Sequence, residues 1–305
     1  MNRFRFTFQL STFVFCFFAF ASMANAQATR TWVSGLGDDV NPCSRTAPCK
    51  TFAGAISKTT INGEINCLDG GGYGAITINK SITIDCTDVA ASILAAGVTG
   101  VIINLTTVPD AARTVRIRGL SINGAGSGIN GVRILSANSV FIEDVIIDGF
   151  TQHGISLESS AGLTKTFINR ATISNNTGNG FNTFLTGGAT ATLSVRESTF
   201  ATNNIGFNLG ASIKTAFETS TISGNNTGVL VNVGSLTMAG CEVAQNNIGV
   251  QVGNGGTIRL SGNTISTNGT GLSLGTGGGN LISFSNNVIK GNTSDGAPTG
   301  NEGLN

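Results

Sequence analysis

Few side chains in this sequence could do covalent chemistry. One histidine, His153, and 16 acidic residues are spread over 305 positions. Glu143 and Glu218 recur at one outward place in a repeated unit, but three units apart, about 14 Å at the usual strand spacing. A hydrolase built on two carboxylates needs them about 5–9.5 Å apart. Glu197 is nearer to Glu218 but falls at a bend. The chain does offer two outward aromatic residues on successive units, Phe141 and Phe167, set among Arg116, Arg118, Glu143, Asn169, Arg196 and Glu218. Exposed rings beside planar polar groups suit a sugar, which has an apolar face and a rim of hydroxyls. The same charges also read as ladders: Arg118 with Glu143, Arg196 with Glu218, and Asp144, Arg170 and Glu197 at one place in three units. Such pairs are worth about 0.2–1 kcal/mol each, so surface stabilisation is the competing account.

What must position these residues is a template written eight times between Val115 and Ile289. Apolar pairs open the units: Val115/Ile117, Val140/Ile142, Thr166/Ile168, Leu193/Val195, Thr215/Phe217, Leu236/Met238, Ile258/Leu260 and Ile282/Phe284. Five positions later stand Ile122, Ile147, Ile173, Phe200, Ile222, Val243, Ile265 and Ile289. A third apolar place holds Ile129, Ile155, Phe181, Phe207, Val229, Val250 and Leu272. The step varies from 21 residues (Phe217 to Met238) to 27 (Ile168 to Val195). Alternation at period two inside a longer period predicts a solenoid of short strands, because no unit can bury its apolar residues alone. Stacked units turn equivalent positions into continuous interior columns. The residues between and just after each opening pair then face outward. Loops within 157–166 and 183–193 are long and stand beside that outward face, where loops on a rigid scaffold commonly carry function.

With 11% charged residues, 43 glycines and a net charge of +1, nothing favours nucleic acid or an anionic membrane as a partner. Residues 1–26 read as a secretory signal: Arg3 and Arg5, an apolar run from Phe6 to Phe20, and Ala24-Asn25-Ala26. The expected location is therefore the periplasm or the outside of the cell, with no membrane contact after cleavage. In that oxidising setting Cys43 and Cys49, which bracket a small loop, are expected to pair. Cys67 and Cys86 share a strand context and lie 19 residues apart, near one coil, which makes a second bridge. Cys241 is left as a small buried hydrophobe. Neither CxxC nor a second histidine is present, so no metal or cofactor is expected; Asp38, Asp39 and Asn41 could hold calcium only as an acidic turn could.

The segment 27–62 departs from the template. It reads as a strand at Thr31-Trp32-Val33, a disulfide loop, and an amphipathic helix within Lys50–Thr59 that covers the open end of the core. The solenoid is expected over 63–290, in about ten coils, and a frayed polar tail over 291–305. Asn203-Asn204, Asn225-Asn226 and Asn246-Asn247 share one place, with Asn176 and Asn268 close to it. Stacked amides can bond along a ladder, and Asn tolerates the left-handed backbone of a sharp bend.

Together, the template, the asparagine turn and the opening Thr31-Trp32-Val33-Ser34-Gly35 with Asn41-Pro42-Cys43 through Pro48-Cys49-Lys50-Thr51-Phe52 resemble the right-handed parallel β-helix of the pectin-lyase-like superfamily, over nearly the whole chain after the leader. The resemblance implies an all-β fold, places the asparagine ladder between the second and third sheets, and makes the first sheet the face that carries a cleft. Lyases of that superfamily use clustered Asp with calcium and a basic residue, and its hydrolases several close Asp; neither set is found here. The expected function is a secreted, non-catalytic β-helix that binds or presents to extracellular polysaccharide. The alternative is a polysaccharide lyase or glycoside hydrolase of the same class.

Overall fold

A computed structural model describes residues 27–253 and 255–303; the leader expected over 1–26 lies outside the described residues. The chain winds as a right-handed parallel β-helix with three sheets of 12, 10 and 9 parallel strands, here called sheets one, two and three. Each coil visits them in that order. Valine, isoleucine and threonine alternate with polar residues on short strands, such as Thr114–Arg118 and Ser139–Glu143, and every strand pairs with its equivalent one coil away. The interior of sheet two is the column Ile93, Ile122, Ile147, Ile173, Phe200, Ile222, Val243 and Ile265, all fully buried. Four aromatic side chains knot the middle of the core, with Phe207 stacked on Phe181 at 5.0 Å and edge-on to Phe217 at 4.9 Å and Phe200 at 5.7 Å.

Two backbone devices make the corners. The residue that leaves sheet one is left-handed in coil after coil: Gly119, Asp144, Arg170, Glu197, Thr219, Gly240 and Gly262. The turn into sheet three carries the asparagine ladder, in closer register than the sequence suggests. Asn176, Asn203, Asn225, Asn246, Asn268 and Asn292 each give a backbone N–H and a side-chain N–H to the next side chain along, and Asp295, an acceptor only, ends the row. Glycines follow this turn because the coils nearly touch there. A Cβ on Gly206 would lie 2.7 Å from the Gly228 carbonyl oxygen, and one on Gly228 2.5 Å from that of Gly249.

The ends are closed by different means. The helix Phe52–Lys58 buries Phe52, Ala55 and Ile56, with Phe52 against Tyr73 at 5.2 Å. Thr51 caps it by accepting the Gly54 N–H, and the Asp39 carboxylate accepts the N–H groups of Lys50 and Thr51. Asp39 thus serves the cap, and Asp38 accepts the Val40 N–H. Among the described residues no helix is long and apolar enough to cross a membrane. Disulfides join Cys43 to Cys49 and Cys67 to Cys86.

Four expectations need correction. Ile129 does not hold the third apolar place, being 39% exposed. Left-handed Ala125 and Gly126 lengthen that turn, and Val132 pairs with Ile155 instead. The last opening pair is Leu281/Ser283, not Ile282/Phe284: the ladder sets Leu281 beside Ile258, so Ile282 faces outward beside Arg259. The local pattern favours Ile282/Phe284, both apolar, but strand pairing selects Leu281 and Ser283. Residues 291–303 are not a frayed tail, since Asn292 and Asp295 extend the ladder, Thr299 bonds both backbone groups of Leu281, and Gly300–Asn301 joins sheet one. Finally, the long loops shrink to 158–162 and 184–189, because Leu163–Asn169 and Thr190–Arg196 extend sheet one with Thr164 and Ala191 inward.

Cys241 is buried in the sheet-one corner, where neighbouring coils place Ser198, Ser220 and Asn263; its own N–H bonds Asn263 Oδ1 at 2.9 Å. Burial pushes the thiol up to about 11. At pH 8 the native protein should therefore give no reaction with a disulfide reagent. One thiol per chain, that of Cys241, should appear on unfolding without reductant once residues 1–26, which contain Cys16, are removed. Rapid reaction of the native protein would show that this corner is open.

Candidate functional site on sheet one

Outward side chains of sheet one form columns along the helix axis; one, through Ser139, Lys165, Thr192, Lys214 and Ser235, flanks the two that hold the singled-out residues. The first runs Arg30, Glu64, Thr83, Arg116, Phe141, Phe167, Ser194, Ala216, Thr237 and Arg259. The second runs Trp32, Asn66, Asp85, Arg118, Glu143, Asn169, Arg196, Glu218, Ala239 and Ser261. All eight residues singled out from the sequence stand on this face. The columns bring Arg116, Arg118, Phe141, Glu143, Phe167 and Asn169 into one cluster, with Arg196 and Glu218 on the rungs beyond.

Phe141 and Phe167 stack on adjacent rungs, with centroids 4.7 Å apart and planes 9° apart. The Arg116 guanidinium lies over Phe141 at 4.1 Å. Arg116 is one rung before Phe141 and Phe167 one rung after, so both faces of the Phe141 ring are taken. Phe167 has one face covered by Phe141. On its other side the column continues with Ser194 and Ala216, too small to cover a ring. A recess two rungs long therefore opens against Phe167, with Ser194 and Ala216 as its floor and the Arg196–Glu218 ion pair on its rim. The two rings stand on edge along the column, and of the two only Phe167 offers a face.

Both arginines beside the rings are matched within the face. Glu143 accepts from Arg116 at 2.6 Å and from Arg118 at 3.0 Å, and Arg118 also reaches Asp85 at 3.2 Å. At the corner, Arg170 grips Asp144 through two bonds of 2.6 and 2.8 Å, and its guanidinium holds that carboxyl below the usual carboxylate range. Asp85 and Glu143, on the rungs either side of Arg118, are both held on its guanidinium. The expected ladders are thus present, and the Phe167 recess lies beside them.

Sequence reading missed the first rungs of this face. The sequence reads Trp32 as part of a separate leading strand, yet Ala28–Val33 is the outermost strand of sheet one and pairs Trp32 with Asn66. A hollow of about 350 Å³ opens there, lined among others by Arg30, Trp32, Arg45, Glu64, Asn66 and Asp85. The shared Ile-x-Cys pattern at Ile65-Asn66-Cys67 and Ile84-Asp85-Cys86 carried the signal, since bonding the two cysteines sets Asn66 beside Asp85.

His153 lies off this face, in the turn into sheet three. Its Nδ1 accepts the Asn179 N–H at 3.0 Å and its own N–H reaches Asn130 Oδ1 at 3.1 Å. Burial lowers its pKa, which suits a ring that must stay an acceptor. Nearby, Glu158 accepts from Arg133 at 2.6 Å and from Ser156 at 2.8 Å, a cluster the sequence did not disclose and one satisfied by its own members.

Comparison with known proteins agrees with this architecture. Residues 130–293, just over half the chain, match the family described as the right-handed beta helix region. Among solved structures the chain is similar to the pectate lyase Pel9A, with a TM-score of 0.50 and 14% identity, over 85% of this chain and 72% of that one. The A-module of the mannuronan C-5 epimerase AlgE4 from Azotobacter vinelandii gives a TM-score of 0.44 at 14% identity, over 80% and 91% of the two chains. No curated protein matches. The repeated strands, the stacked corners and the family match lead to one statement of kinship: the chain belongs to the right-handed β-helix family.

Proposed function

We propose that this is an exported, non-catalytic β-helix that binds extracellular polysaccharide on sheet one. The observation that carries the reading is Phe167, an aromatic ring on a rigid sheet with one face open over Ser194 and Ala216. A sugar ring laid there meets an apolar face, with the polar groups of Arg196 and Glu218 at hydroxyl height. Two disulfides suit an oxidising compartment. Binding without turnover is favoured by how the carboxylates are held. Glu143 is shared by two arginines and Glu218 is paired with Arg196, so both carboxylates are turned to partners within the face.

Two variants test this. Phe167→Ala should lower affinity for a bound polysaccharide about tenfold, the effect of losing one stacking contact. Its melting temperature should stay within a few degrees of the parent, because an outward truncation leaves no core cavity. Ser194→Phe should extend the stack from Phe141 through Phe167, fill the recess, and remove binding without loss of stability. Unchanged binding in both variants refutes the site. Release of unsaturated products or new reducing ends by the parent protein refutes the non-catalytic reading.

A further inference from the structure

On the reading of sheet one as a glycan face, we infer that the hollow around Trp32 is a second sugar subsite and that the strip from Trp32 to Phe167 takes a neutral glycan. Trp32 is the first outward aromatic of the sheet and is half-buried beside Asn66. Five strand steps separate it from Phe167, about 24 Å at the spacing of paired strands. The two aromatic groups thus stand near the two ends of a strip long enough for several sugar rings, and both lie on a rigid backbone. Between them the strip presents four guanidinium groups, of Arg30, Arg45, Arg116 and Arg118, against four carboxylates, of Glu64, Asp85, Asp88 and Glu143, with Lys165 exposed beside Phe167 at its far end. Three of the arginines are already engaged: Arg30 with Glu64 at 2.9 Å, Arg116 with Glu143, and Arg118 with both Asp85 and Glu143. A polyanion laid along this strip would have to break those pairs and would meet a carboxylate for every guanidinium it gained. Hydroxyl groups meet no such conflict, since paired guanidinium and carboxylate groups keep spare donors and lone pairs directed at the ligand.

Affinity electrophoresis of the full chain decides the question, using gels cast with xylan or glucomannan as neutral probes and polygalacturonate or alginate as acidic ones. The expected result is retardation by a neutral probe that changes less than about twofold between about 0.05 and 0.5 M NaCl, because no net charge is exchanged with the ligand. Trp32→Ala should weaken that retardation about tenfold and Trp32→Phe should largely restore it, which separates a lost platform from a lost fold. Salt-sensitive retardation by an acidic probe alone, still weakened by Phe167→Ala, would overturn the neutral class while sparing the face. Neutral binding that depends on Phe167 but is the same in Trp32→Ala would overturn the second subsite. Retardation by none of the probes would overturn the reading of sheet one itself.

Discussion

Replacing Ile222 with Asp is expected to cost about 4–5 kcal/mol and to unravel the middle of the solenoid. Ile222 is fully buried in the sheet-two column, between Phe200 and Val243. Removing its branched side chain forfeits the few kcal/mol typical of a large-to-small core change. A carboxylate in its place has no partner inside the column and loses its hydration. Globular domains are stable by only about 5–15 kcal/mol, so one such change consumes much of the margin. Since each coil is supported mainly by its two neighbours, the loss should show as a broad or two-step melt followed by circular dichroism. A single transition at the parent temperature would mean that Ile222 does not face the core.

The asparagine ladder should be nearly as sensitive. Asn225 accepts two bonds from Asn203, at 2.9 and 3.2 Å, and donates to the Phe200 and Ser223 carbonyls and to Asn246. Asn225→Leu leaves the buried Asn203 N–H without an acceptor and the Phe200 carbonyl without its side-chain donor. At about 1–3 kcal/mol for each unsatisfied buried group, the expected loss is about 3 kcal/mol or more, read from urea denaturation. Asn225→Asp separates accepting from donating. An ionised Asp can still accept from Asn203 but sets negative oxygens against the Phe200 carbonyl and the Asn246 side-chain oxygen. Its folded pKa should therefore lie above the ordinary value of about 3.9. A raised folded pKa contributes stability below the unfolded value that is lost as pH rises through the folded one. The deficit of this variant relative to the parent should thus be small near pH 4 and larger at pH 7. The opposite trend would show that the ladder does not run through this side chain.

What the sequence by itself determined is the periodic part of the protein. Alternating apolar residues and recurring Asn and Gly can satisfy core, corner and close coil contact in one way only, so the fold, the ladder and the eight outward residues were legible from their spacing. Cys67 and Cys86 were legible for the same reason, as equivalents one coil apart. Tertiary structure alone decided whatever depends on which strand lies beside which. Leu281 rather than Ile282 fills the last rung because parallel pairing overrides the local apolar pattern. Val132 replaces Ile129 because left-handed residues lengthen one turn. Trp32 joins sheet one because its strand pairs with residues more than 30 positions away, a contact no local pattern encodes. The ring planes belong to the same class. Sequence places Phe141 and Phe167 on adjacent rungs, but side-chain rotation sets them face to face, closes Phe141 under Arg116, and leaves Phe167 to face the recess over Ser194 and Ala216.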